Sequence, residues 1–244
     1  MKRRQFIALS GFSAPLVIVS AKSQALTQIP ESELLGKTAP SLFDGVNFNF
    51  RQEAADAFVK MQNAAKKDGI KIYSVSSYRG FKHQLGIWNR KYSNYQKRMK
   101  KPEDIIAAIV EFSSIPGTSR HHWGTDADLV DDSQKRPRNL LYSNHFLKGG
   151  LYENFYRWMK THASEFGFHE VYTDDPERSG YKFEPWHWSY APLSVPFLRQ
   201  WSQIDLHKKI AQPPLMGREH LTAEFLEVFR QKWGLGINPA LLPK

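Results

Sequence analysis

No cysteine occurs among the 244 residues. Disulfide staples and thiolate metal sites are therefore excluded, and any metal ion must be held by His, Asp or Glu. No internal repeat or low-complexity block is visible. No apolar run reaches the roughly 20 residues that a membrane-spanning helix needs. Basic residues outnumber acidic ones, 34 to 24, yet no DNA- or RNA-binding signature accompanies the charge, so nucleic acid is not an expected partner. What the chain does have is apolar content: 41% hydrophobic residues, 14% of the chain aromatic, supports a packed core rather than a disordered chain. The length suits one domain with extensions.

The first 25 residues read as an export signal. Met1-Lys2-Arg3-Arg4 is a basic start, Phe6 to Val19 is apolar apart from Ser and Gly, and Ser23-Gln24-Ala25 offers a small-x-small cleavage site. Arg3-Arg4-Gln5-Phe6-Ile7 resembles a twin-arginine signal, which carries proteins across the membrane already folded. An exported protein, periplasmic or extracellular, is expected, with no stable membrane span once the signal is cleaved. Cleavage would remove four basic residues and no acidic one, leaving 30 against 24 and a formal charge of +6. Outside the cytoplasm such a chain is drawn to anionic wall polymers and membrane surfaces.

Residues 26–50 hold several Pro, Gly and Asn and are expected as an extended arm. Residues 51–68 place Ala54, Ala55, Phe58, Val59, Met61 and Ala64 at helical spacing, closed by Gly69. Residues 70–76 alternate like a strand. Helices are expected over about 82–99, 102–112 and 151–166, and a short strand near 127–130. A hairpin is expected over 168–191, with 183–190 as its return strand. Two C-terminal helices, about 194–205 and 221–234, form an extension over 192–244 that packs on the domain. Helices and strands mix without a regular βαβ repeat, which predicts an α+β fold with a small, mainly antiparallel sheet flanked by helices.

Three clusters carry chemistry. Ser119-Arg120-His121-His122-Trp123-Gly124-Thr125-Asp126-Ala127-Asp128 gathers two imidazoles and two carboxylates, the ligand types zinc accepts without thiolates. Taken alone it fits a polar loop without metal equally well. Glu184-Pro185-Trp186-His187-Trp188 would, on a strand, turn His187 toward a site and both tryptophans toward a core. A carboxylate such as Glu184 beside a metal centre can serve as general base and then general acid. Ser76-Ser77-Tyr78-Arg79-Gly80-Phe81-Lys82-His83-Gln84 ends a strand and begins a helix. Its arginine is suited to gripping a carboxylate or neutralising an oxyanion.

In order and residue type these segments resemble the zinc-dependent D-alanyl-D-alanine carboxypeptidases of the VanY type, relatives of the D-Ala-D-Ala dipeptidases. The signatures S-G-Y-R-S-x-x-x-Q, S-x-H-x-x-G-x-A-x-D and E-x-W-H cover roughly residues 50–191, and a zinc peptidase domain is assigned to 51–191. The resemblance implies Zn²⁺ held by His121, Asp128 and His187 on the sheet face, and Glu184 as catalytic base. Arg79 would stabilise the transition state or the substrate carbonyl, with substrate contacts from Tyr78, Gln84 and Ser119. Ser77 and Gly80 depart from the first signature. Asp126 stands where Ala is usual and is expected to act behind the ligands. The implied activity is D,D-hydrolysis of the terminal D-Ala-D-Ala bond of peptidoglycan stem peptides by a monomer. The alternatives are an L,D-carboxypeptidase or endopeptidase on the same site, or a non-catalytic cell-wall-binding module.

Overall fold

The computed structural model describes residues 28–244, so the expected export signal lies outside the described residues. Residues 28–50 fold back onto the core instead of extending as an arm. They carry a one-turn helix α1 (Glu31–Leu34) and a hairpin of β1 (Phe43–Gly45) and β2 (Phe48–Phe50). Asn47 turns the hairpin in the left-handed region, at φ 71°, which Asn tolerates better than most residues. Phe48 and Phe50 alternate along β2 and both bury, with ring centroids 4.9 and 5.2 Å from that of Phe58. Each such burial stabilises by about 1.5–3 kcal/mol, enough to hold down a segment whose composition alone reads as loop.

Helix α2 (Gln52–Lys67) buries Ala54, Ala55, Phe58, Met61 and Ala65. Val59, expected on that face, is 39% exposed, because it lies one residue off the stripe. Strand β3 (Ile72–Ser76) leads to α3 (Phe81–Gln96) and α4 (Pro102–Val110), the latter with proline in its first turn. Then follow β4 (Asp126–Asp131), α5 (Glu153–His162), β5 (Phe168–Glu170) and β6 (His187–Tyr190). The four longer-range strands form one antiparallel sheet in the order β3-β4-β6-β5, so the architecture is α+β as expected.

β5 and β6 pair as a hairpin, but the return strand starts at His187 rather than at 183. Pro185 has no N–H to donate, and the His187 amide turns back onto the Glu184 carbonyl at 3.0 Å. Trp186 is thereby left off the strand.

Two cores flank the sheet. One gathers α2, α5 and the sheet face carrying Ala127, Leu129, Trp188 and Tyr190. The other joins α3 and α4 to the C-terminal helices α6 (Ala191–Trp201), α7 (Leu206–Ile210) and α8 (Ala223–Phe229). Trp201, Leu206 and Phe229 are each 1% exposed in that second core, and the Trp201 indole donates to the Gly117 carbonyl at 3.1 Å. Among the described residues no helix is long and apolar enough to cross a membrane.

Candidate active site

The β4–β6 register assembles the site. Asp128 lies opposite His187, and Asp126 opposite Ser189. Directly opposed residues of an antiparallel pair share a face, so these four side chains point away from the core that takes Ala127, Leu129, Trp188 and Tyr190. His121 arrives from a short 3₁₀ turn, Arg120–Trp123, ended by Gly124 at φ 67°. A side chain at Gly124 would also press on Leu42, at 2.8 Å. The stretch after β3 is tied to this turn by the Arg79 amide, which donates to the His121 carbonyl at 3.0 Å.

His121, Asp128 and His187 each offer one ligand atom, and these atoms lie within 4.8 Å of one another. His121 Nδ1 meets the Ser77 carbonyl at 2.7 Å, so its proton sits there and the Nε2 lone pair faces Asp128 Oδ2 at 3.6 Å. His187 Nε2 meets Asp126 Oδ1 at 3.2 Å, which leaves Nδ1 facing Asp128 at 3.7 Å and Glu184 at 3.4 Å. Anchoring the outer nitrogen of each imidazole on an oxygen is how proteins prepare histidine for a metal. Two imidazoles and one carboxylate, converging and buried, match the donor set of zinc sites that keep a fourth position free.

The electrostatics also favour a cation. Burial opposes charge on His187, but hydrogen bonds to Asp126 and Glu184 and the charge of Asp128 outweigh it and raise the imidazole to about 9. At His121 burial wins over Asp128, and its pKa is lowered. His122, the other candidate of the pair, is spent on structure. It is fully buried, takes the Gly117 amide on Nε2 at 3.1 Å and meets the Arg79 carbonyl through Nδ1. Burial pushes its pKa down to about 3.

Beside the cluster lies a pocket of about 250 Å³, lined by Arg79, Ser119 and Glu184 as well as the three candidate ligands. Arg79 points its Nη2 toward Asp128 at 3.9 Å and toward Ser76 Oγ at 3.0 Å. Two residues expected at the substrate do not line this pocket. Gln84 is fully buried and joins Arg79 to the Ser114 carbonyl. Tyr78 lies near Glu33, whose charge adds to burial in raising its pKa, and near Arg51, which opposes the rise. Trp186, expected to face a core with Trp188, lines the pocket as well.

Lys91, Arg120, Tyr172 and Tyr181 also line it and were not singled out in the sequence. Lys91 carried a usable signal, seven residues after Gln84 on one helix face.

Residues 47–193 match the family model described as VanY, D-alanyl-D-alanine carboxypeptidase. The chain belongs to the VanY family. The putative carboxypeptidase YodJ of Bacillus subtilis (strain 168) is 30% identical over 141 residues, 57% of this chain and 45% of YodJ. A D-alanyl-D-alanine carboxypeptidase of Enterococcus faecalis is 28% identical over 134 residues, 54% of this chain and 45% of its own length. The chain thus spans just under half the length of these curated relatives. Among solved VanY structures, VanYB in complex with D-alanine-D-alanine shares the fold. Its TM-score is 0.51 at 21% identity, covering 72% of this chain and 91% of that one.

Proposed function

We propose that the chain is an exported, monomeric zinc-dependent D,D-carboxypeptidase that hydrolyses the terminal D-Ala-D-Ala bond of peptidoglycan stem peptides. The observation that carries this reading is the convergence of His121, Asp128 and His187 on one pocket together with Glu184 and Arg79. Membership of the VanY family supports the substrate class, and the Arg3-Arg4 start followed by an apolar stretch supports twin-arginine export.

In this reading His121 Nε2, Asp128 and His187 Nδ1 hold the zinc. The ion, when bound, supplies Lewis acidity that polarises the scissile carbonyl and lowers the pKa of a water to about 7. Glu184 takes the proton of the attacking water and returns it to the leaving amine. Arg79 places positive charge where the oxyanion develops, and Gln84 holds Arg79 in place. Ser119 contacts the substrate's C-terminal part. The Lys91 side chain, half-buried in the same pocket, makes no hydrogen bond or ion pair with the side chains of the described residues and is available to a substrate carboxylate. A pocket this small, below the roughly 300–1,000 Å³ of drug-sized sites, suits the end of a peptide better than its middle.

The test is zinc content per chain together with D-alanine release from a stem pentapeptide, before and after chelation. One zinc and chelator-sensitive release are expected. Zinc with release only from a tetrapeptide would assign L,D-specificity, and zinc with cleavage only inside cross-linked muropeptides would assign an endopeptidase. No zinc would overturn the ligand assignment and leave a wall-binding module.

A further inference from the structure

Behind the three candidate ligands sits a buried ion pair. Arg120 Nε donates to Asp126 Oδ1 at 2.8 Å, and the two side chains are 5% and 0% exposed. Desolvating two charges is costly, and a buried pair often stabilises a fold less than apolar residues of the same volume. Stability alone therefore gives little reason to place one here.

The contacts of Asp126 point to a different use. Its Oδ1 takes the Arg120 hydrogen bond and meets His187 Nε2 at 3.2 Å. Its Oδ2 accepts from Thr125 Oγ1 at 2.6 Å and from Ser189 Oγ at 3.0 Å. Arg120 Nη2 also donates to Ser189 Oγ at 2.8 Å, and the guanidinium lies over the Trp123 ring, 4.7 Å from its centroid. Both carboxylate oxygens are thus engaged, and Asp126 stands outside the ligand cluster although it shares a strand face with Asp128. The carboxylate is pinned in one place, with a free edge only for the outer nitrogen of His187.

We propose that the Arg120–Asp126 pair is a positioning device for His187, fixing the proton on Nε2 so that Nδ1 is the atom offered to the metal. Arg120 supplies the countercharge that lets a carboxylate occupy this buried place, and Asp126 sets the imidazole's tautomer and orientation. Asp126 is fully buried and does not line the pocket, and Arg120, which borders it, acts on His187 through Asp126. The inference rests on the metal assignment of the proposed function, but not on the identity of the peptide or the bond cut.

The experiment measures zinc affinity by competition with a chromophoric chelator for the wild type, for the double variant Arg120→Met/Asp126→Ala, and for Asp126→Asn made in the Arg120→Met background. The double substitution removes both charges together, so no unpaired charge is left buried. Its folding is checked by near-ultraviolet circular dichroism and by the melting temperature without zinc. Losing an outer-sphere partner of a metal-bound histidine typically costs about 10–100-fold in affinity, and that loss is expected for the double variant with its fold retained. Asp126→Asn in the Arg120→Met background also leaves no unpaired buried charge, keeps an acceptor toward His187 Nε2 and is expected to recover most of the affinity. Long-range ¹H–¹⁵N correlation spectra of the zinc-loaded protein should show His187 with its proton on Nε2 in the wild type and a mixture of Nε2–H and Nδ1–H forms in the double variant. A folded double variant that binds zinc as tightly as the wild type, or keeps the pure Nε2–H tautomer, overturns the proposal. A wild type that binds no zinc overturns the metal reading itself. A wild type whose zinc affinity depends on this pair yet which releases no D-alanine leaves the pair standing and moves only the substrate assignment.

Discussion

The guanidinium of Arg79 is held by the amide of Gln84, which accepts from Nη1 at 2.8 Å while its own Nε2 donates to the Ser114 carbonyl at 2.7 Å. The cation on the pocket wall is therefore aimed by a fully buried side chain that does not line the pocket. Gln84→Leu removes both bonds at similar volume. A misplaced catalytic group costs up to about 10² in rate, so kcat on a stem pentapeptide should fall about 10- to 100-fold with KM nearly unchanged. A rise in KM alone would put Gln84 at the substrate instead.

Glu184 has its Oε2 3.4 Å from His187 Nδ1 but is not one of the three converging ligand atoms. Glu184→Gln should keep one zinc per chain while kcat falls by about 10²–10⁴, the usual contribution of a positioned acid–base group. His187→Ala should lose both zinc and turnover. Metal analysis beside steady-state kinetics on the two variants separates base from ligand, and normal turnover in Glu184→Gln would remove the base from the scheme.

Lys91 gives the pocket a further cation beside Arg79 and the Asp126-paired Arg120. Lys91→Met keeps the apolar stem and removes the charge. Hydrogen bonds to charged groups contribute about 1.5–3 kcal/mol, so KM for a peptide with a free terminal carboxylate should rise about tenfold or more, with kcat little changed. A peptide ending in an amide should show no difference between variant and wild type. Equal effects on both peptides would exclude a carboxylate contact.

Glu170 is 2% exposed and takes hydrogen bonds from Tyr156 at 2.9 Å and Lys160 at 2.8 Å. Burial nevertheless raises its pKa, outweighing Lys160 and Tyr156. The Lys160 side chain is 49% exposed, so water screens its charge. A raised acid binds its proton more tightly folded than unfolded. Stability should therefore decline as pH rises from the ordinary glutamate value through the raised folded one. Glu170→Gln keeps an acceptor for Tyr156 and cannot ionise. Urea unfolding from about pH 4 to about pH 8 should show a flatter profile for the variant, and identical slopes would show that burial does not dominate at Glu170.

Much of this protein is legible in the order of its residues. Local periodicity marks α2, α3, α4 and α5, because burial on one face imposes a repeat that neighbours in sequence share. The ligand types are legible too, since without cysteine only His, Asp and Glu remain, and the resemblance of three short motifs to the VanY signatures points to His121, Asp128, His187 and Glu184. What local pattern does not carry is which long-range partner each residue meets. Phe48 and Phe50 sit in a stretch that reads as an arm until Phe58 is placed beneath them. His121 and His122 are chemically equal neighbours, and Gln84 reads as a pocket residue from its motif. The β4–β6 register, the turn ended by Gly124 and the tie from Arg79 to His121 decide these cases, turning His121 to Asp128, His122 to the backbone and Gln84 to Arg79. Composition and periodicity determined the helices and the chemistry available. Only tertiary pairing decided which side chains share a face, because a strand's register is set by its partner and not by its own residues.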